Sequence, residues 1–212
     1  MLCCMIRLNI RNLSKNYSGQ EVFRDLNDAF NGGKIGVAGN NGSGKSTLLR
    51  CLSGLISPSS GSIEWYVNGS TYSPKEISPF LGYAAPYVEL YEEFTARENL
   101  TFIKNLRSEQ ECELVDDLIL KFEIDQFVDS LYGKLSSGQQ QRVKLTASVI
   151  HKPSILCLDE PGTNLDEKGH EIVKRMADNC VENGGIVILA SNQAQELQMC
   201  NSVIDMNSLT LE

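Results

Sequence analysis

The sequence predicts an α/β fold: a mainly parallel sheet, an N-terminal antiparallel β portion and an inserted block of helices. Three observations carry this. Apolar runs of strand length alternate with segments of helical apolar periodicity, which argues a parallel sheet with crossover helices. The first 35 residues give short alternating runs with glycine turns, the pattern of antiparallel strands. Between 86 and 150 the strand-like runs stop and helical patterning takes over. At 212 residues the chain can bury a full core. One domain over 1–212 is expected, with a core at 1–85 and 151–212 and a helical subdomain at 86–150.

The elements follow in order. Ile6, Leu8 and Ile10 alternate with polar residues and read as a half-buried strand. VFRDLNDAF from Val22 gives a second, between turns at Ser18-Gly19 and Gly32-Gly33. The apolar run 35–38 is a short buried strand, and a helix carrying Leu48, Leu49 and Leu52 comes soon after. Strands are expected at 61–67 and 81–85. Thr95 with Glu98, and Ser108 with Glu111, are spaced as capping boxes ahead of helices. Helical patterning then runs to about Ile150. SILCLDE at 154–160 is a continuous apolar strand ending in two acids. A helix from about Asp166 carries Ile172, Val173 and Met176 and ends near Gly184-Gly185. GIVILAS at 185–191 is another buried strand, followed by a helix and the short strand SVIDM.

Composition narrows the class. The 42% hydrophobic content is that of a soluble globular protein. No apolar run approaches the roughly 20 residues of a membrane span. The N-terminal apolar stretch is too short for a signal peptide. Seven cysteines, none in a CxxC pair, do not suit a disulfide framework. They read as buried reduced thiols in a reducing cytoplasm. Adjacent Cys3 and Cys4 lack a recognisable lipidation motif around them. The net charge is −8, and residues 86–133, with 12 acidic and 4 basic side chains, supply all of it. That segment is either a set of solvated helix faces or a surface that meets a basic partner. No basic stripe tracks a nucleic-acid backbone, so a nucleic-acid partner is not expected.

The stretch GNNGSGKST at 39–47 carries the first chemistry. A glycine, four residues, then Gly-Lys-Ser is the phosphate-loop pattern, here with Gly39, Gly44, Lys45 and Ser46. It lies between an expected strand and an expected helix, which is the setting the motif needs. Small residues let backbone N–H groups curl around phosphate oxygens, and the helix N-terminus adds positive charge. Lys45 can reach the β/γ-phosphates and the Ser46 hydroxyl can bind Mg²⁺. Out of context the same string is a glycine-rich turn with a surface lysine.

Asp159 and Glu160 end a buried strand, where ligands of open α/β sheets gather. Asp159 suits the Mg²⁺ shell, and Glu160 suits polarising a water for attack on the γ-phosphate. LSSGQQQR at 135–142 is a small-residue turn opening a helix, with Ser136 and Ser137 as candidate caps. Its amides and dipole favour an anion.

Together these segments resemble the ATP-binding cassette (ABC) ATPases. Residues 135–139, Leu135, Ser136, Ser137, Gly138 and Gln139, match the LSGGQ signature, with Ser137 at the usual glycine. Tyr17 matches the aromatic that stacks on adenine. Residues 39–47 match Walker A, 154–160 Walker B, and Thr163-Asn-Leu-Asp166 the D-loop. The resemblance spans almost the whole chain. It implies a P-loop NTPase (RecA-like) core that binds ATP and Mg²⁺. It implies nucleotide contacts from Tyr17, Gly39, Asn40, Asn41, Gly42, Ser43, Gly44, Lys45, Ser46 and Thr47. It also implies a head-to-tail dimer in which each ATP lies between one phosphate loop and the partner's signature loop. Ser136 and Gly138 would hold the γ-phosphate in trans, and Leu165 and Asp166 would cross the interface. In this family the inserted helical subdomain receives a coupling helix from a separate membrane subunit, and the acidic segment falls there.

Two positions depart from the pattern. The Q-loop glutamine should be residue 86, by register against Thr95, Glu98 and Asn99, and the chain has Pro86. The switch histidine should follow Ser191, and the chain has Asn192. Asparagine can donate one hydrogen bond to a γ-phosphate but cannot carry charge or move a proton. Losing such a donor outright costs about 2.7–4 kcal/mol, and Asn192 keeps one. His151 and His170 fall in helical stretches away from this position and read as surface or packing residues. Slow but real ATP hydrolysis is expected, with catalytic roles for Glu160, Lys45 and Asn192. The expected context is the ATPase subunit of a transporter, on the cytoplasmic face of a membrane through partner subunits. Compactness and the ELYEEFTARENL segment resemble small export-type cassettes, including the cytochrome-c maturation group. The alternatives are a non-transport cytoplasmic ABC ATPase, or a nucleotide-gated subunit that scarcely turns over.

Overall fold

Two sheets enclose a helix that starts at the glycine-rich loop. The computed structural model describes residues 6–106 and 112–209. Cys3, Cys4 and the capping pattern at 108–111 lie outside the described residues. The chain opens with β1 (Arg7–Tyr17), β2 (Gln20–Asn31), β3 (Gly33–Ala38), α1 (Lys45–Leu52), β4 (Ser60–Val67) and β5 (Ser70–Tyr72). It continues with β6 (Leu81–Ala84), α2 (Ala96–Leu106), α3 (Val115–Lys121) and α4 (Ser137–Val149). It closes with β7 (Ile155–Asp159), α5 (Glu167–Glu182), β8 (Ile186–Ser191), α6 (Ala194–Leu197) and β9 (Ser202–Asp205).

One sheet is antiparallel, in the order β2-β1-β4-β5. The other is parallel, in the order β6-β7-β8-β3-β9. The α/β reading with its two β portions therefore holds. The β4–β5 hairpin went unread, although Asn68-Gly69 between its strands is a strong turn signal.

Side chains alternate across the parallel sheet, so each central strand feeds two cores. Ile155 and Cys157 of β7, with Ile186 and Ile188 of β8, face α1 and the antiparallel sheet. Leu156, Leu158, Val187 and Leu189 face α5 and the helical block. The buried indole N–H of Trp65 on β4 donates to the Leu52 carbonyl at 2.9 Å, which fastens the antiparallel sheet to the end of α1. Cys51, Cys157 and Cys180 are buried free thiols, and burial pushes the Cys51 thiol up to about 11.

The helical block differs from a continuous helical run. Residues 122–136 form successive turns and one short 3₁₀ segment, Tyr132–Lys134. Ile124, Val128 and Tyr132 are buried at helix-like spacing, yet they reach the core from turns. Thr95 also pairs with Leu131 as an isolated bridge, which a helix there would forbid. The helix after β8 is a single turn, α6. No helix among the described residues is long and apolar enough to cross a membrane.

Candidate nucleotide site

The parallel sheet brings the separated motifs to one edge. Ala38 pairs with Ser191, and Asp159 with Ala190, so the loops after β3, β7 and β8 leave the sheet side by side. Ala84 pairs with Leu158, which brings the loop holding Pro86 alongside. This is the carboxyl edge, where α/β sheets hold ligands.

The loop after β3 has an unusual backbone. Gly44 caps α1 in the left-handed region, with φ 95°. A Cβ there would meet Val22 Cγ1 at 2.6 Å. Only glycine satisfies both the conformation and the close approach of β2. Lys45 is buried, and its Nζ donates to the carbonyls of Gly39 at 2.8 Å and Asn40 at 3.0 Å. A cation is thereby fixed across the loop, among amides and a helix start suited to phosphate.

Asp159 is 1% exposed, and neither of its carboxylate oxygens completes a hydrogen bond among the described residues. Burial pushes its carboxyl above the usual range, while the neighbouring Ser46 hydroxyl and the Lys45 charge pull the other way. Two hard oxygen donors with unspent acceptor capacity fit Mg²⁺. When bound, Mg²⁺ would neutralise charge between the β- and γ-phosphates.

Glu160 adopts φ 47°, an uncommon conformation for a residue with a side chain. Its backbone N–H donates to the Ala190 carbonyl at 2.8 Å. The turn therefore stays tied to β8 while the half-buried carboxylate leaves the strand end. Beyond β8, Asn192 is exposed, and its Nδ2 donates to Asn41 Oδ1 of the glycine-rich loop at 3.1 Å. The 39–47, 159–160 and 192 positions thus form one constellation.

The 135–139 segment opens α4 as a capping box. Gln139 N–H donates to Ser136 Oγ, and Ser136 N–H donates to Gln139 Oε1 at 2.9 Å. Ser136 is the cap, and Ser137 is the first helical residue. A Cβ on Gly138 would lie 2.6 Å from the Asn164 carbonyl oxygen, so this loop packs directly on 163–166. Asp166 caps α5 by accepting from Gly169 N–H at 2.9 Å, and Arg142 donates to the same oxygen at 2.7 Å. Ser136, Gly138, Gln139, Leu165 and Asp166 line one cleft of about 600 Å³. No residue of 39–47 lines that cleft.

Tyr17 closes β1 next to the Ser18-Gly19 turn and is 47% exposed, with Lys15 Nζ 4.7 Å from its ring centroid. Pro86 is exposed on the loop after β6, and its carbonyl accepts from Lys144 Nζ of α4 at 2.9 Å. The position thus stays coupled to the signature helix through its backbone.

Two tyrosines near this edge were not singled out from sequence. Tyr83 and Tyr87 share a hydrogen bond between their hydroxyls, and Arg50 of α1 sits 5.0 Å from the Tyr87 ring centroid. His151 is a buried packing residue whose Nε2 meets the Leu81 carbonyl at 2.8 Å. His170 is not remote from the switch region as expected. It faces buried Glu196, four residues past Asn192. Neither contact has a local signal, because each joins residues brought together only by the sheet.

A phosphate-binding loop and a paired Asp-Glu at the carboxyl ends of neighbouring parallel strands define a phosphate-loop nucleoside triphosphatase. The comparisons narrow the class. The ABC transporter family model matches residues 26–163. The chain is 34% identical over 189 residues to the cytochrome c biogenesis ATP-binding export protein CcmA of Haemophilus influenzae, covering 88% of this chain and 89% of that one. It is 33% identical over 202 residues to the ergothioneine transport ATP-binding protein EgtV of Helicobacter pylori, covering 90% and 93%. A solved putative ABC transporter ATP-binding protein from Pyrococcus furiosus shares the fold, with a TM-score of 0.81 at 24% identity over 97% and 100% of the two chains. The chain belongs to the ABC transporter ATP-binding family, and its chemistry is ATP hydrolysis.

Proposed function

We propose that this chain is the ATPase subunit of a transporter, pairing with a second cassette to drive separate membrane subunits. The observation that carries the reading is the division of the site between two surfaces. The phosphate loop, Asp159, Glu160 and Asn192 share the sheet edge, while the signature residues share a cleft with Leu165 and Asp166. A head-to-tail dimer joins one surface to the other. Tyr17 stacks on adenine, residues 39–47 hold the phosphates, and Ser46 with Asp159 holds Mg²⁺. Glu160 orients the attacking water, Lys45 offsets the developing negative charge, and Asn192 donates to the γ-phosphate. Ser136 and Gly138 contact the γ-phosphate of the partner's nucleotide.

The membrane partner is proposed to dock on residues 86–150. A cavity of about 370 Å³ borders that segment, lined by Leu55, Val88, Leu90 and Ile103 together with Lys75 and Lys144. Tyr91, Phe94 and Phe102 form an exposed aromatic cluster nearby in sequence, with ring centroids 5.1–6.3 Å apart. Such apolar exposure, set in the acidic segment, suits a helix with basic flanks. The chain would then sit on the cytoplasmic face of the membrane.

A second reading, a nucleotide-gated subunit with little turnover, is favoured by Pro86 and Asn192. One experiment separates them. The intact complex is copurified from membranes, and phosphate release is measured with wild type and Glu160→Gln. Turnover above the variant supports the transporter ATPase. ATP binding with equal background rates supports the gated subunit, and absence of any membrane partner opposes both.

A further inference from the structure

We propose that Glu196 and His170 form a positioning pair that ties the segment bearing Asn192 to the turn bearing Glu160, with the Gly162 backbone held between them. Neither side chain belongs to the glycine-rich, signature or D-loop segments.

Glu196 stands on α6 and is 3% exposed. Burial holds its carboxyl above the usual range, while the Ser191 hydroxyl, the His170 ring and the Gly162 amide act in the opposite direction. Neither of its carboxylate oxygens completes a hydrogen bond among the described residues. An acid so enclosed is costly, and such groups in folded proteins call for a specific reason. His170 reaches in from α5, with Nδ1 3.8 Å from Glu196 Oε1. That Nδ1 also makes no hydrogen bond among the described residues. Gly162 fills the remaining side. A Cβ there would lie 2.2 Å from Glu196 Oε1 and 2.4 Å from His170 Cε1.

Three segments therefore meet without slack. Ser191 and Asn192 leave β8 and lead into α6, which carries Glu196. Gly162 lies two residues beyond Glu160, whose N–H is itself bonded to Ala190. His170 comes from the helix that Asp166 caps. A shift of Asn192 toward a γ-phosphate would carry Glu196 against Gly162, and so move the Glu160 turn. The pair acts through its neighbours.

The test uses the full chain and measures ATP turnover, KM and amide hydrogen exchange. The variants are E196A, H170A, E196Q and G162A. G162A keeps both side chains and places a methyl group between them, so it reports on the contact even if E196A folds poorly. Turnover should fall about tenfold in E196A, H170A and G162A, since small misplacements near the reacting centre reduce rate strongly. KM for ATP should stay within about twofold. E196Q keeps the shape and an acceptor oxygen and should recover most of the rate. Exchange should rise together in 160–165 and 191–198. Unchanged turnover in both E196A and G162A would overturn the proposal. So would exchange that rises in 191–198 alone. The exchange readout holds whatever the absolute rate of hydrolysis.

Discussion

Two pairs of strand ends make up the nucleotide edge, and they differ in kind. Behind β3 and β7, Lys45 and Asp159 are buried, and Glu160 is held by a backbone bond to β8. Behind β6 and β8, Pro86 and Asn192 are exposed, and both differ from the residues the family resemblance implies. On the proposed reading, the first pair carries the side chains that hold the phosphates and Mg²⁺ and orient the attacking water. On the same proposed reading, the second pair senses the terminal phosphate and links it to other subunits. That reading puts binding and sensing on separate strands, with both altered positions in the sensing pair.

That contrast can be broken at several points. The largest effect is expected at Glu160→Gln, which removes the water-orienting carboxylate and should lower turnover by about 10²–10⁴-fold, read as phosphate release. ATP affinity should be kept. Lys45→Ala deletes the buried cation and should cost about 10²–10³ in turnover together with ATP binding, followed by fluorescent-nucleotide titration. Asn192→Ala removes the one donor left at the switch position and should cost about tenfold in turnover, below the full penalty for a charged donor. Equal losses at Asn192 and Glu160 would erase the distinction between the two pairs. Pro86→Gln should change turnover by no more than about twofold, because Lys144 bonds the residue-86 carbonyl and the backbone persists.

The smallest effect concerns acid stability. The Gly169 amide and then the Arg142 guanidinium hold the Asp166 carboxyl below the usual carboxylate range. A depressed folded value means the stabilisation is complete above the ordinary aspartate pKa and is lost as pH falls through the lower, folded value. Thermal melts of Asp166→Asn should therefore show a flatter acid dependence than wild type. Parallel curves would remove this contribution.

Much of this edge was legible in the sequence because its signals are local. The 39–47 loop, the apolar strand before Asp159, the capping box at Thr95 and the cap at Ser136 each depend on residues a few positions apart. The same locality misled at 122–136, where Ile124, Val128 and Tyr132 keep helical spacing while the backbone runs through turns. The β4–β5 hairpin was available from Asn68-Gly69 and needed only the turn rule. The His170–Glu196 contact was not available, because sheet order alone brings α5 and α6 together behind Gly162. The acids of 86–133 are a mixed case. Asp116 and Asp129 pair with Arg97, and Glu89 pairs with Lys144, so part of that charge is internal to the helical block.

The most direct test measures ATP affinity and turnover side by side for wild type, Glu160→Gln and Asn192→Ala. The separation of binding from sensing predicts one shared dissociation constant, background turnover in the first variant and a partial loss in the second. A wild-type rate no higher than that of Glu160→Gln, or a loss of ATP affinity in Asn192→Ala, would contradict it.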